Sequence, residues 1–337
     1  MKSRIINMLI ILLTVGNIAN AQLGLDKLGQ STMNFLAVSV SPKASAMGDA
    51  FFGIGQGAES IFYNPAGLAE GSSEIETVFN YTQWIADINY LAGAVSWNLG
   101  NAGTIGLSLL SVDYGTINGT SLIDPSQSAQ YPSGYIDNGK LSGVGAYYFG
   151  VTYARAINNQ FSIGGTVRIA GQNLGSNSFS DGTSRENNAT KFVFDAGIKY
   201  NTGYKNFRFG MAIRNFSSNI KREEIDEQLP LVFTVGTAID LLEVITDEPD
   251  KQTALTLAVD YIHSNNFSER INLGMEYKLL DMFYLRGGYQ SNRDLASWSG
   301  GVGFVKTIGD YSIDINYSMS QMEIFDNVNR LSVGFGF

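Results

Sequence analysis

From Glu74 to its last residue the chain alternates apolar residues with small or polar ones, segment after segment. It closes on Leu331-Ser332-Val333-Gly334-Phe335-Gly336-Phe337. A period of two sends successive side chains to opposite faces of a strand. In Phe207, Phe209, Met211 and Ile213 the apolar face is explicit, with Arg208, Gly210, Ala212 and Arg214 opposite. Phe192, Phe194, Ala196 and Ile198 likewise oppose Val193, Asp195, Gly197 and Lys199, and Ile271, Leu273, Met275 and Tyr277 oppose Asn272, Gly274, Glu276 and Lys278. About 14 such segments follow one another: 74–84, 88–99, 103–114, 146–157, 160–174, 190–202, 206–216, 229–240, 252–263, 268–279, 282–292, 297–308, 310–320 and 328–337. Most have the ~9–11 residues that a tilted membrane strand needs. Such strands leave no edge in lipid only if the last pairs with the first. The expected fold is all-β: a transmembrane antiparallel barrel of about 14 strands. A short alternating last strand ending in Phe makes Phe335 and Phe337 the candidate signal for the barrel-assembly machinery.

The start of the chain gives the compartment. Lys2 and Arg4 precede a short apolar run, Met8 to Val15, and Ala19-Asn20-Ala21 is a small-residue cleavage site. This is the pattern of a secretory signal peptide over 1–21, with Gln22 as the first mature residue. No apolar run reaches the ~20 residues of a membrane-crossing helix. There is no Cys, so disulfides, thiolate metal sites and a lipoprotein anchor are excluded. A net charge of −9 argues against nucleic acid as a partner. Together these features predict the outer membrane of a Gram-negative bacterium, with outer-membrane lipid around the wall.

Connection lengths agree. If both ends of the barrel are periplasmic, the long segments 115–145, 175–189 and 217–228 all follow odd strands and face outside. Tight turns at Asn158-Asn159, Gly203-Tyr204-Lys205, Leu280-Asp281 and Gly309-Asp310 follow even strands. The long acidic connection from Leu241 to Lys251 is one exception, and a short helix is the reading that accommodates it; the opening connection, Ile85 to Asp87, is also short for an outer loop.

Residues 22–72 lack the strand alternation. They read as a plug or hatch segment inside or beneath a barrel of residues 73–337. Asn64-Pro65-Ala66-Gly67 is a turn, since Asn before Pro disfavours helix; Gly67 would tolerate a positive φ there. Gly53-Ile54-Gly55-Gln56-Gly57-Ala58 fits a dinucleotide-binding string, but no alternating helices follow, so it reads as another turn of this segment. No cofactor is expected. The single histidine, His263, lies on the strand face opposite Asp260, which breaks any Ser-His-Asp arrangement with Ser264 and argues against an enzyme. The charged runs Lys221–Glu227 and Asp247–Asp250 lack the spacing of a calcium loop and read as solvated loop charge. Alternation points Arg168, Asp195, Lys199, Arg208, Arg214, Asp260, Glu276 and Arg286 inward. A charge facing lipid near the bilayer centre costs ~2–4 kcal/mol, so the lumen is their place. Ion pairing with the plug is the expected role, and a polar path or cargo-contact surface is the alternative.

Three stretches carry a family resemblance. Phe35-Leu36-Ala37-Val38, then Ala44-Ser45-Ala46-Met47-Gly48-Asp49-Ala50, then Asn64-Pro65-Ala66-Gly67-Leu68-Ala69 resemble the N-terminus of FadL-like outer-membrane proteins, and within them the PorV/PorQ family. The resemblance implies a 14-stranded barrel plugged by its N-terminal segment, with Met47, Gly48, Asn64, Pro65, Ala66 and Gly67 as the plug motif. It implies a role in type IX secretion, with secretion-system proteins and their cargo as partners. PorV-like proteins take up the C-terminal signal of secreted cargo. The alternative that the same resemblance implies is a FadL-like transporter of long-chain fatty acids or other hydrophobic small molecules.

The connection lengths make one prediction. An epitope inserted within 120–132 should be stained on intact cells. Staining that needs lysis would reverse the orientation.

Overall fold

The computed structural model describes residues 31–337 apart from 142, 179–182, 223–224, 247–251 and 294–297. The expected signal peptide and the Asp247–Asp250 cluster lie outside the described residues, as do Glu223 and Glu224 of the other charged run. Fourteen strands form one closed antiparallel barrel. In chain order the first are β1 (Ile75–Gln83), β2 (Asn89–Asn98) and β3 (Thr104–Asp113). A loop hairpin, β4 (Asn118–Leu122) with β5 (Tyr135–Lys140), precedes β6 (Gly145–Ala156), β7 (Phe161–Ser178), β8 (Ser184–Asn201) and β9 (Arg208–Phe216). A second hairpin, β10 (Ile220–Arg222) with β11 (Ile225–Glu227), precedes β12 (Val232–Asp240), β13 (Ala254–Ser264) and β14 (Arg270–Leu279). The wall finishes with β15 (Phe283–Gln290), β16 (Trp298–Ile308), β17 (Tyr311–Ser320) and β18 (Val328–Gly336). Each of the 14 expected segments corresponds to one wall strand. The two hairpins were not expected, and β7 and β8 run further into their loop than alternation alone indicated.

Alternation shows directly as burial. Along β3 buried and exposed residues alternate without a break, and the exposed ones include Ile105, Leu107 and Leu109. Phe79, Leu91, Phe149, Phe192, Leu285 and Val302 are exposed in the same way on other strands. These side chains form the lipid-facing surface, while small and polar residues turn inward. No described helix is long and apolar enough to cross a membrane.

The barrel closes between β1 and β18, in register from Glu76 opposite Gly336 to Gln83 opposite Asn329. Phe337 extends this seam. Its N–H donates to the Ile75 carbonyl at 2.9 Å, and its carbonyl accepts from Glu74 at 2.9 Å and Ile75 at 3.2 Å. Its ring packs edge-on against Tyr311, 5.9 Å between centroids. Phe335 projects outward from the same strand.

The barrel has two unlike ends. One end, called here the turn end, carries both barrel termini and the short connections. At Leu280 and Asp281 both residues take positive φ, the backbone that matches a two-residue turn to the strand twist. The long even-side connection begins with a helix, Leu241–Ile245, capped by Asp240, whose side chain accepts from Leu242 N at 2.9 Å. The other end, the loop end, carries both hairpins and the loops after β13, β15 and β17.

The seam predicts the effect of truncation. Deleting Phe337 removes three backbone hydrogen bonds and one ring contact at the closing edge. Folded, heat-modifiable protein in the membrane should fall well below the intact level; equal levels would mean that the seam closes without it.

Candidate functional site

The described N-terminal residues, 31–72, are short helical turns rather than strands. Pro42–Ala46 is a single turn of α-helix. Pro stands at its first position, where no N–H is needed, and the Ser41 hydroxyl accepts from Ala44 N at 3.2 Å. Gly57–Phe62 and Pro65–Glu70 are 3-10 turns. Asn64 caps the second, its side-chain oxygen accepting from Ala66 N at 3.2 Å. Met47, Asn64 and Ala66 have no exposed surface, and Gly48, Pro65 and Gly67 are buried with them. Tyr63 is buried too. Its hydroxyl accepts from Ser41 N at 3.1 Å and shares a hydrogen bond with Ser39. Burial pushes this phenol well up, so it stays neutral.

The wall holds this segment through polar contacts to its backbone. Asp260 Oδ2 accepts from Phe51 N at 2.8 Å and Phe52 N at 3.0 Å. Lys199 donates to the Gly55 carbonyl at 2.9 Å and pairs with Glu70 at 2.5 Å. Arg214 donates to the Phe62 carbonyl at 2.8 Å. Asn64 reaches the other way, from segment to wall, donating to Ile198 O at 3.0 Å. The wall leaves room at these points. A Cβ on Gly197 would strike the Asn64 side chain, and one on Gly288 would strike the backbone at Met47 and Gly48. Inward glycines thus mark where the segment touches the strands.

Four of the other lumen charges pair within the wall. Arg168 meets Asp195 at 2.5 Å and Asn215 at 2.7 Å. Arg286 meets Glu276 at 2.6 Å and Asn316 at 2.8 Å. Among the described residues Arg208 makes no ion pair, and its Nε has no hydrogen-bond partner. Of the eight inward charges, then, only Lys199 forms an ion pair with the described residues of the segment; Asp260 and Arg214 bind its backbone. Sequence reasoning missed Lys43, Glu59, Glu70 and Asp314. Lys43 pairs with Asp314 of β17 and, at 3.1 Å, with Glu59 of its own segment. Nothing in a segment without periodicity indicates which way Lys43, Glu59 and Glu70 point, whereas Asp314 alternates with Ile313 and Ile315 on β17 and that pattern could have placed it inward.

A cavity of about 480 Å³ opens at the turn end. Its lining includes Glu59, Glu70, Glu76, Asp240, Glu276 and Asp314 against Lys43, Arg208, Lys278 and Arg286. It is a charged vestibule beneath the segment. Gly53–Ala58 forms a hydrogen-bonded interior turn, with Gly55 N donating to Phe51 O at 2.8 Å. His263 lies at the loop end, half-exposed, 3.0 Å from Glu269 and facing away from the lumen that Asp260 enters. Gly67 does not take positive φ. Its need for a bare Cα is steric: a Cβ would meet the Gly55 carbonyl oxygen and Ser60.

Comparison with known proteins adds the following. A family model described as "Type IX secretion system membrane protein PorP/SprF" matches residues 129–332, more than half of the chain. It names PorP/SprF, not the PorV/PorQ group that the N-terminal motif resembles. No curated protein sequence matches. Among solved structures, the Ralstonia pickettii toluene transporter TbuX aligns over 88% of this chain and 97% of its own, with 12% identity and a TM-score of 0.56. The Pseudomonas putida toluene transporter TodX aligns over 87% and 96%, with 10% identity and a TM-score of 0.54. A Pseudomonas aeruginosa FadL homologue aligns over 88% and 98%, with 13% identity and a TM-score of 0.51. At these identities the likeness is one of fold.

The Asp260 contact is testable. Asp260→Ala leaves the buried Phe52 N–H without an acceptor, at a cost of about 1–3 kcal/mol, and leaves Phe51 N–H with only the Asp49 carbonyl, 3.0 Å away. The variant should melt at lower temperature and be cut by protease within 31–72, with Asp260→Asn intermediate. Unchanged melting and protection would mean that other contacts suffice to hold the segment.

Proposed function

We propose, from the premise that the chain belongs to the PorP/SprF family of type IX secretion system membrane proteins, that it is a non-enzymatic outer-membrane component of secretion in a Gram-negative bacterium. In this reading it binds secreted cargo or partner proteins, and residues 22–72 act as a plug that keeps the lumen shut. The observation that carries the reading is the filled lumen. Asp260, Lys199 and Arg214 each bond the segment's backbone from a different wall strand. A barrel closed in this way offers its loops, not its bore, to other proteins.

The loops suit that task. Leu122 on the β4–β5 hairpin is 92% exposed, and Ile225 and Ile324 also stand free on their loops. The likeness of Ala44–Ala50 and Asn64–Ala69 to PorV/PorQ proteins supports cargo handling of the same general kind. The alternative, a transporter of hydrophobic small molecules, draws on the likeness in fold to the toluene transporters TbuX and TodX. The charged vestibule weighs against it, because an apolar solute leaving the segment would meet six carboxylates and four cationic side chains.

Affinity isolation after crosslinking on intact cells tests the proposal. The full protein should recover secretion-system proteins or cargo, and a variant with 117–141 replaced by a short linker should recover several-fold less. Recovery of no secretion protein, together with loss of apolar-solute uptake in cells lacking this chain, would favour the transporter instead.

A further inference from the structure

At the loop end, where the N-terminal segment meets β14 and β15, lies a second, partly open cavity of about 200 Å³. Its charge is unlike that of the vestibule. Among the described residues, Arg214, Arg270 and Arg293 line it against one carboxylate, Asp49. Its apolar wall includes Phe52, Tyr63 and Trp84. Arg214 lies over two of these rings, 5.0 Å from the centroid of Phe52 and 5.8 Å from that of Tyr63. Stacking occupies the face of a guanidinium and leaves for a ligand the N–H groups of Arg214 that the Phe62 carbonyl does not take.

Polar groups here are unmatched in both senses. Arg214 Nε is buried without a hydrogen-bond partner. Arg293 makes no hydrogen bond or ion pair among the described residues. Asp49 accepts from Gln290 Nε2 at 2.6 Å through Oδ2, while its Oδ1 is buried and unpaired. Asn272 Oδ1 is in the same position. Buried donors and acceptors are ordinarily satisfied, so a cavity holding both kinds unmet invites a ligand that carries both. Arg270 is already engaged at the Asn292 carbonyl, but among the described residues Arg214 and Arg293 still outnumber Asp49, which asks for an anion, and planar forked guanidiniums match a carboxylate. The unpaired oxygens of Asp49 and Asn272 ask for an N–H. The aromatic wall asks for an apolar body. The volume is that of several water molecules at ~30 Å³ each, which admits an amino-acid-sized group.

We infer that this cavity binds an α-amino-acid residue with a free carboxylate and an apolar side chain. The carboxylate sits among the guanidiniums, and the amino or amide N–H points to Asp49. A free amino acid and the carboxyl end of a polypeptide both present this chemistry. The inference does not rest on the secretion reading, since it follows from the cavity alone.

Titration of the purified full-length barrel in detergent tests it, with three probes: phenylalanine, N-acetylphenylalanine and N-acetylphenylalaninamide. At least one carboxylate form should bind about tenfold more tightly than the amide, the loss expected when a charge-assisted pair is removed. Arg293→Gln, on a loop outside the wall, should weaken the acid about fivefold and leave the amide unchanged, with heat-modifiability intact. Tighter binding of phenylalanine than of its N-acetyl form assigns the site to free amino acids. Binding of a decapeptide ending in phenylalanine at least as tight as that of N-acetylphenylalanine assigns it to polypeptide ends. Equal affinity for acid and amide, no binding of either acid, or no effect of Arg293→Gln would overturn the inference.

Discussion

In hydrocarbon there is no water to take up an unpaired backbone group, and the rest of this structure depends on that. A sheet placed there must close on itself, so β18 has to find β1. The seam continues to the last atom of the chain, with the Phe337 carbonyl accepting from both Glu74 and Ile75. Closure with 14 strands has a second consequence. A barrel of about eight strands is filled by its own side chains, but the interior widens with strand number. This wall needs something else in its lumen, and the N-terminal segment is the chain's own supply.

Filling a polar lumen with backbone turns sets an accounting problem. Every buried N–H and C=O of those turns requires a partner. Residues 31–72 form only short helical turns, which leave part of their own groups unpaired, and the wall binds several of these. Asp260 accepts from two consecutive N–H groups, Lys199 and Arg214 each donate to a carbonyl, and Asn64 returns a hydrogen bond to Ile198. Here buried charges act as hydrogen-bonding arms for backbone more than as ion pairs. The Arg168–Asp195 and Arg286–Glu276 pairs do the ordinary work of neutralising one another between strands.

The wall was legible in the sequence because a membrane strand writes its environment into alternate residues. The run from Phe192 to Lys199 defines both faces of its strand by alternation alone, and the connection lengths define the two ends. The lumen was half legible. Alternation puts Asp260 and Lys199 inside, yet it cannot say whether they meet a side chain or a backbone group. The partners Glu70, Lys43 and Glu59 lie in a stretch with no period, so their directions had no sequence signature. Gly67 shows the same limit. The sequence marks it as a residue that must be small, but the reason is the approach of the Gly55 carbonyl, a contact across 12 residues that no turn rule contains. The family is a third case. The motif at Ala44–Ala50 resembles PorV/PorQ, whereas the family model that names PorP/SprF begins at residue 129, beyond that motif.

The two cavities are joined by the segment that separates them. Glu59 and Glu70 face the vestibule at the turn end, and Asp49 faces the basic cavity at the loop end. Asp49 stands immediately before Ala50, Phe51 and Phe52, the stretch whose N–H groups Asp260 holds. It also shares Gln290 with the Gly48 carbonyl, at 2.6 and 3.0 Å from the same nitrogen. A ligand that engages Asp49 therefore acts next to the part of the segment that Asp260 binds to the wall. It can loosen that part only by as much as it prefers the displaced arrangement over the seated one. One that satisfies Asp49 Oδ1 and Arg293 where they stand favours the seated arrangement. Opening of the lumen would then have to begin at the other end, where Lys199 and Lys43 tie the segment through ion pairs that the vestibule's own carboxylates and cationic side chains can replace.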